Sequence, residues 1–249
     1  MPKLWIRVAL LAGLSALAVH VALAAGHGSK AHWGYEGAEG PDNWSKAFPR
    51  CGGNSQAPID IKGPFGAASA PISVRYKPSK LRIIDNGHTI QVNYDAGSSM
   101  RVGKERFELL QFHFHRPSEE KLDGEAKAMV VHFVHKSAAG KLAVIGVLLE
   151  EGKDSETIST LWSNLPKHAG KETVVSRVTI DASRLLPASL DYYHYMGSLT
   201  TPPCTEGVAF YILKHPVQVS KAQVAAFPYE MNARPVQPLN GRQVAESGK

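Results

Sequence analysis

Three histidines carry the first chemistry this chain offers. In the stretch 108–115 an apolar run alternates with polar residues, and side chains alternate across a strand, so Gln111, His113 and His115 share one face. Leu110, Phe112 and Phe114 then share the other face, which reads as the apolar packing face. Two imidazoles at i and i+2 stand side by side, which suits a metal ion. Alone the pair is a weak signal, because hydrogen-bonded or solvated histidines have the same spacing. A third histidine strengthens it. His132 lies 17 residues beyond His115, in a second strand-like run over 128–135, with Val130 and Val134 on its face and His135 on the opposite one. Paired as neighbouring strands, the two segments bring three ring nitrogens together. Three protein ligands and an open fourth position make a catalytic rather than a structural zinc site. Nitrogen ligands without thiolates also suit other first-row metals. His135 is read as structural.

The surrounding elements are short. Turn signals such as Asp85-Asn86-Gly87, Asp95-Ala96-Gly97 and Asp123-Gly124 separate apolar runs at 71–76, 89–94, 107–116, 128–135 and 142–149. Helical pattern is confined to 155–163 and 221–227. This predicts one mainly β (α+β) domain over 32–249, with no repeats and few helices. Of 249 residues, 43% are hydrophobic and 20% charged, a globular balance with length enough for a sizeable core. The net charge of +6 is scattered, without the basic stripe and interleaved aromatics of a nucleic-acid binder.

The N-terminus reads as an export signal. Lys3 and Arg7 precede an apolar stretch, and Ala22-Leu23-Ala24 supplies the small residues of a cleavage site before Ala25. Residues 1–24 are therefore expected to be removed, 25–31 to form a short polar joint, and the mature protein to be periplasmic or secreted, without a stable membrane span. Cys51 and Cys204 are the only cysteines. An even count in an oxidising compartment suggests one disulfide, with two free thiols as the other reading. A bridge would close a loop of about 150 residues, worth at most about 5 kcal/mol in the chain-entropy account.

In order and spacing, several segments resemble the α-class carbonic anhydrases. They are His32-Trp33-Gly34-Tyr35, Asn54-Ser55-Gln56-Ala57-Pro58-Ile59-Asp60-Ile61, Asn86-Gly87-His88-Thr89, Gln111-Phe112-His113-Phe114-His115, His132-Phe133-Val134-His135 and Ser198-Leu199-Thr200-Thr201-Pro202-Pro203-Cys204. The resemblance implies a twisted, ten-stranded, largely antiparallel sheet with zinc at the bottom of a conical cavity. It implies a carbonate dehydratase: reversible hydration of carbon dioxide to bicarbonate by a zinc-bound hydroxide held through His113, His115 and His132. Thr200 and Glu119 would orient the hydroxide, and His88 would shuttle the proton. Val134, Val144, Leu199, Thr201 and Phe210 would line the substrate pocket beside Thr200, and Gln111 would orient His113. The partner is then a small molecule, and the chain a monomer or homodimer.

Three positions depart from the family pattern. Val130 stands where the family usually places a glutamate that orients the histidine two residues on. Such an orienting partner is typically worth about 10- to 100-fold in metal affinity or activity. Phe210 replaces a tryptophan. Glu120 replaces a common histidine, and as a second acid it is expected to raise the pKa of Glu119. Two other readings share the ligand residues. A cupin-like metalloprotein would use Glu119 as a ligand, and a periplasmic zinc-binding protein on the same scaffold would bind metal without catalysis.

Overall fold

The computed structural model describes residues 32–68 and 70–248; the expected leader and the polar joint lie outside them. Runs rich in Val, Ile and Phe form the strands that matter for the site. They are β1 (Ser79–Asp85), β2 (Ile90–Asn93), β3 (Glu105–His115), β4 (Met129–Ser137), β5 (Leu142–Glu151), β6 (Thr173–Ile180), β7 (Tyr192–Ser198) and β8 (Glu206–Leu213). Their order in the sheet is β6-β1-β2-β3-β4-β5-β8-β7, continued by the short strands Ala245–Glu246 and Gly66–Ala67. That path holds ten strands, and three more pair off it, so the described sheet has thirteen rather than ten. The extra strands are short: Ile72–Arg75, Ser99–Val102 and Val217–Val219. Neighbours are antiparallel except at β5–β8 and two minor pairings.

Both faces of the sheet are covered. One packs Leu81, Ile83, Phe112, Phe114, Val131, Phe133 and Ile145 into the larger core. The other packs Ala57, Ile59, Val130, Leu148, Tyr195 and Phe210 into a second. Two-sided burial is why β4 and β5 read as near-continuous apolar runs. The two expected helices form as Glu156–Trp162 and Lys221–Ala225. Ser155 caps the first by accepting the Ile158 N–H, and Ser220 with Gln223 makes a capping box on the second.

The packing face of β3 differs from the expectation at one residue. Leu110 is 42% exposed, while Phe107 and Leu109 are buried with Phe112 and Phe114. The register between β4 and β3 shifts here: Val134 faces Gln111, and His135 faces Leu109. Leu110 is the extra residue of a β-bulge. The bulge swaps the parity of the strand, so odd-numbered residues face the core before it and the cavity after it.

Candidate metal centre

Register places the site residues in rows across the sheet. One row runs Gln91, His113, His132, Gly146 and Ile212 over β2, β3, β4, β5 and β8. The next runs Asn93, Gln111, Val134, Val144, Phe210 and Tyr195. Two of the three ligands thus share a row with a glycine, while His115 faces Val130. A Cβ at Gly146 would stand 2.5 Å from Ile212 Cδ1, so the glycine admits the Ile212 side chain, and the His132 ring edge lies 3.5 Å from the same point. The apolar wall is the adjacent row.

One ring nitrogen from each of His113, His115 and His132 lies within 4.8 Å of the other two. The remaining nitrogen of each ring meets an oxygen. His113 Nδ1 donates to Gln111 Oε1 at 2.9 Å, His115 Nδ1 to the Asn232 carbonyl at 2.7 Å, and His132 Nε2 to Glu120 Oε2 at 3.1 Å. A carbonyl and a carboxylate can only accept, so the second and third contacts fix the tautomers. Nε2 of His113, Nε2 of His115 and Nδ1 of His132 are left with lone pairs.

The electrostatics favour a cation. Burial, with the neighbouring His132, lowers the His113 pKa to about 3. Burial and the neighbouring rings hold His115 well below its ordinary value. Both are therefore neutral ligands at pH 7. Burial would lower His132 too, but the Glu120 carboxylate prevails and raises it. His115 Nε2 and Glu119 Oε2 are both buried, lack a hydrogen-bond partner and face each other at 3.4 Å. With Nδ1 carrying the ring proton, Nε2 is an acceptor facing an oxygen, an arrangement that a positive ion would satisfy. Three converging imidazoles, two of them held neutral by burial and one with an orphaned acceptor, fit zinc. Among the described residues the converging group is these three histidines; Glu119 Oε2 lies 3.4 and 3.7 Å from two of its nitrogens without being one of the group.

Glu119 sits in the loop after β3. Its Oε1 accepts the Arg234 backbone N–H at 2.9 Å. Burial raises its pKa to about 7; His132 and the Thr200 hydroxyl pull it down, and Glu120 adds to the rise. The expected repulsion from Glu120 is therefore present but second to burial.

The histidines open into a cavity of about 170 Å3. Its lining includes every residue expected of the substrate pocket: Val134, Val144, Leu199, Thr200, Thr201 and Phe210. His88 and Gln111 line it as well. His88 is half-buried and stacks on Trp33, ring centroids 3.7 Å apart at 11°. Burial and then His32 lower its pKa. Phe210 lies flat against Tyr195 at 4.9 Å and meets the His132 ring edgewise at 6.0 Å, so it fills the wall without an indole. A larger hollow of about 530 Å3, between Phe65 and Asp191, brings no histidine or cysteine together.

The loop carrying Thr200 is tied down from several sides. Cys51 and Cys204 form a disulfide, their Cα atoms 4.9 Å apart. The Cys204 N–H donates to the Thr201 carbonyl, and the Leu199 N–H to the Thr205 carbonyl. Gln56 and Ser198 cross-link the base of the loop, and the buried Arg234 guanidinium binds Gln56 Oε1 and the carbonyls of Ala57 and Cys51.

Asn232 and the contact of Glu120 with His132 escape sequence reasoning. Asn232 is 117 residues from His115 and has no local signature. Glu120 reads in the sequence only as a second acid beside Glu119, yet it is fully buried.

The family comparisons match this geometry. The model of the eukaryotic-type carbonic anhydrases matches residues 39–248. A carbonic anhydrase of Neisseria gonorrhoeae is 43% identical over 231 residues, covering 90% of this chain and 91% of that protein. One of Nostoc sp. is 40% identical over 227 residues, covering 87% and 86%. Among solved structures, the α-carbonic anhydrase of Thermovibrio ammonificans, in complex with the inhibitor sulfanilamide, superposes with a TM-score of 0.82 at 41% identity, covering 86% of this chain and 99% of that one. With a family match over nearly all the described residues and the histidine triad in place, the chain belongs to the α, or eukaryotic-type, carbonic anhydrase family.

Proposed function

We propose that this chain hydrates carbon dioxide reversibly at a zinc ion held by His113, His115 and His132, with Thr200 and Glu119 aiming the attacking oxygen and His88 carrying the proton away. The observation that carries the reading is the convergence of three ring nitrogens at an apolar cavity of about 170 Å3, with Thr200 on its wall and the buried Glu119 beside His115 and His132.

Zinc in such a site lowers the pKa of a coordinated water; the general figure for carbonic anhydrases is about 7, against about 15.7 for bulk water. The residues do the rest. Val134, Val144, Leu199 and Phe210 offer an apolar wall suited to a small apolar substrate. Glu119 is anchored by the Arg234 N–H, and in this reading it takes the Thr200 hydroxyl proton, whose pull on the Glu119 pKa supports the pairing. A threonine whose proton is committed to Glu119 can only accept from the attacking oxygen, which turns that oxygen's lone pair toward the substrate carbon. His88 has an imidazole that can take and release a proton near neutral pH.

Export to the periplasm or exterior is part of the same proposal. It draws on the N-terminal signal pattern and on the disulfide, a bond of oxidising compartments. No helix among the described residues is long and apolar enough to cross a membrane.

The test is stopped-flow carbon dioxide hydration by the mature, zinc-loaded protein at several pH values. A rate above buffer that rises with pH through neutrality, and is lost in His115→Ala, is the expected result. Zinc bound at one per chain without any rate would replace the enzyme by a zinc-binding protein.

A further inference from the structure

We propose that Glu120 positions His132, supplying from the loop after β3 the carboxylate that position 130 on β4 lacks. The proposal rests on the reading of His113, His115 and His132 as the metal site. Val130 is fully buried among apolar residues, two before His132 on the same strand face, and offers no acceptor. Glu120 is also fully buried. Burying a carboxylate is costly unless its oxygens find partners, and Glu120 has one on each. Oε2 accepts the His132 Nε2–H at 3.1 Å, and Oε1 accepts the Tyr195 hydroxyl at 3.3 Å. Its backbone is held as well: the Ser118 hydroxyl donates to the Glu120 carbonyl at 2.8 Å, and the Lys127 N–H donates to Ser118 Oγ.

This arrangement decides which atom of His132 faces the metal. Because the carboxylate cannot donate, Nε2 keeps the proton and Nδ1 is left free toward His113 and His115. Glu119 Oε2 is 3.7 Å from that Nδ1. Two consecutive glutamates thus address the two nitrogens of one ring, and a single loop both orients the ligand and borders the metal position. Tyr195 completes the chain, since its ring stacks on Phe210 of the cavity wall.

The experiment measures zinc affinity of the mature chain by competition with a chromogenic chelator. The proteins are wild type, His115→Ala, Glu120→Leu, and Glu120→Leu combined with Val130→Glu, with thermal unfolding of each zinc-free protein as the folding control. Glu120→Leu is expected to bind zinc about 10- to 100-fold more weakly, the usual cost of losing a ligand's orienting partner. Returning a carboxylate at Val130→Glu is expected to recover most of that loss. Wild-type affinity in a folded Glu120→Leu protein overturns the proposal. Should Glu120→Leu not fold, ring-nitrogen NMR of the zinc-loaded wild type decides. A proton on His132 Nε2 with metal at Nδ1 supports the proposal, and the reverse tautomer overturns it. If wild type and His115→Ala bind zinc alike, the metal-site reading itself fails, and the proposal with it.

Discussion

The backbone carbonyl of Asn232 accepts the His115 ring N–H at 2.7 Å, an acceptor that no side-chain substitution removes. What substitution can remove is the clamp that holds this carbonyl in place. Asn232 Oδ1 accepts the Arg116 N–H, and Nδ2 donates to the carbonyls of His88 and Phe114. Asn232→Ala therefore deletes three hydrogen bonds of a fully buried side chain, each worth about 1 kcal/mol net. The expected outcome is a loss of roughly 3 kcal/mol in denaturant unfolding together with weaker zinc binding. Unchanged zinc affinity would mean that the carbonyl is held by the chain path alone.

Asn232 also marks where sequence reasoning stopped. Strands over 89–94, 128–135 and 142–149 were legible because their apolar patterning is strong, and the histidine triad followed from strand parity and segment spacing. Strand β6, whose burial is mixed, and the paired strands β7 and β8 gave no comparable pattern. The effect of Glu120 on Glu119 is legible in the sequence and present in the structure, whereas its contact with His132 is not legible, for a related reason. Sequence shows two acids in a turn and cannot show that the turn folds under the sheet, where a carboxylate persists only with partners. The apparent loss at Val130 was thus read without the residue that offsets it.

His88 lines the cavity yet ligates nothing, and its ring is held by stacking on Trp33. As a proton carrier it acts after substrate has reacted. His88→Ala is expected to lower kcat about tenfold or more while kcat/KM changes little, with imidazole buffer restoring part of kcat; general acid–base groups contribute about 100- to 10,000-fold. Equal loss of kcat and kcat/KM, with no rescue, would remove His88 from the mechanism.

The Cys51–Cys204 bridge spans 153 residues of sequence and joins the N-terminal aromatic cluster of Trp33, Tyr35 and Trp44 to the Thr200 loop. Its loop-entropy contribution is at most about 5 kcal/mol. Replacing both cysteines by alanine is expected to lower unfolding free energy by several kcal/mol while leaving one zinc per chain, because Gln56, Ser198 and Arg234 still hold the loop base. Loss of zinc stoichiometry in the folded double variant would show that the bridge shapes the site directly.

His135 is buried on the core side of β4, and its Nε2 shares a hydrogen bond with the Tyr76 hydroxyl at 2.8 Å. Burial lowers its pKa from 6.5 to about 3. Below pH 6.5 the unfolded chain takes up a proton at this ring that the folded chain refuses. Its stability contribution is thus whole above pH 6.5 and is lost as pH falls toward 3, at about 1.4 kcal/mol per pH unit in the middle of that range. His135→Gln keeps an acceptor for Tyr76 but does not titrate. With zinc removed from both proteins, unfolding free energies between pH 6 and 4 are expected to fall less steeply in the variant by about that amount. Parallel slopes would refute the assignment.

Leu110 tests the bulge that aims the histidines. Its side chain is largely exposed, while its carbonyl accepts the Tyr94 N–H. Its chemical identity should therefore matter little and its presence a great deal. Leu110→Thr is expected to change stability by less than about 0.5 kcal/mol, as for other surface substitutions, and to leave zinc binding intact. Deleting the residue removes the parity switch. Either Phe107 and Leu109 turn from the core toward the cavity face, or His113 and His115 turn into the core with Phe112 and Phe114 expelled. In both cases the three nitrogens no longer converge, and zinc binding is lost in whatever fraction folds. Retained zinc binding in the deletion variant would mean that the strand recovers its alternation elsewhere, and that the bulge does not set the direction of the ligands.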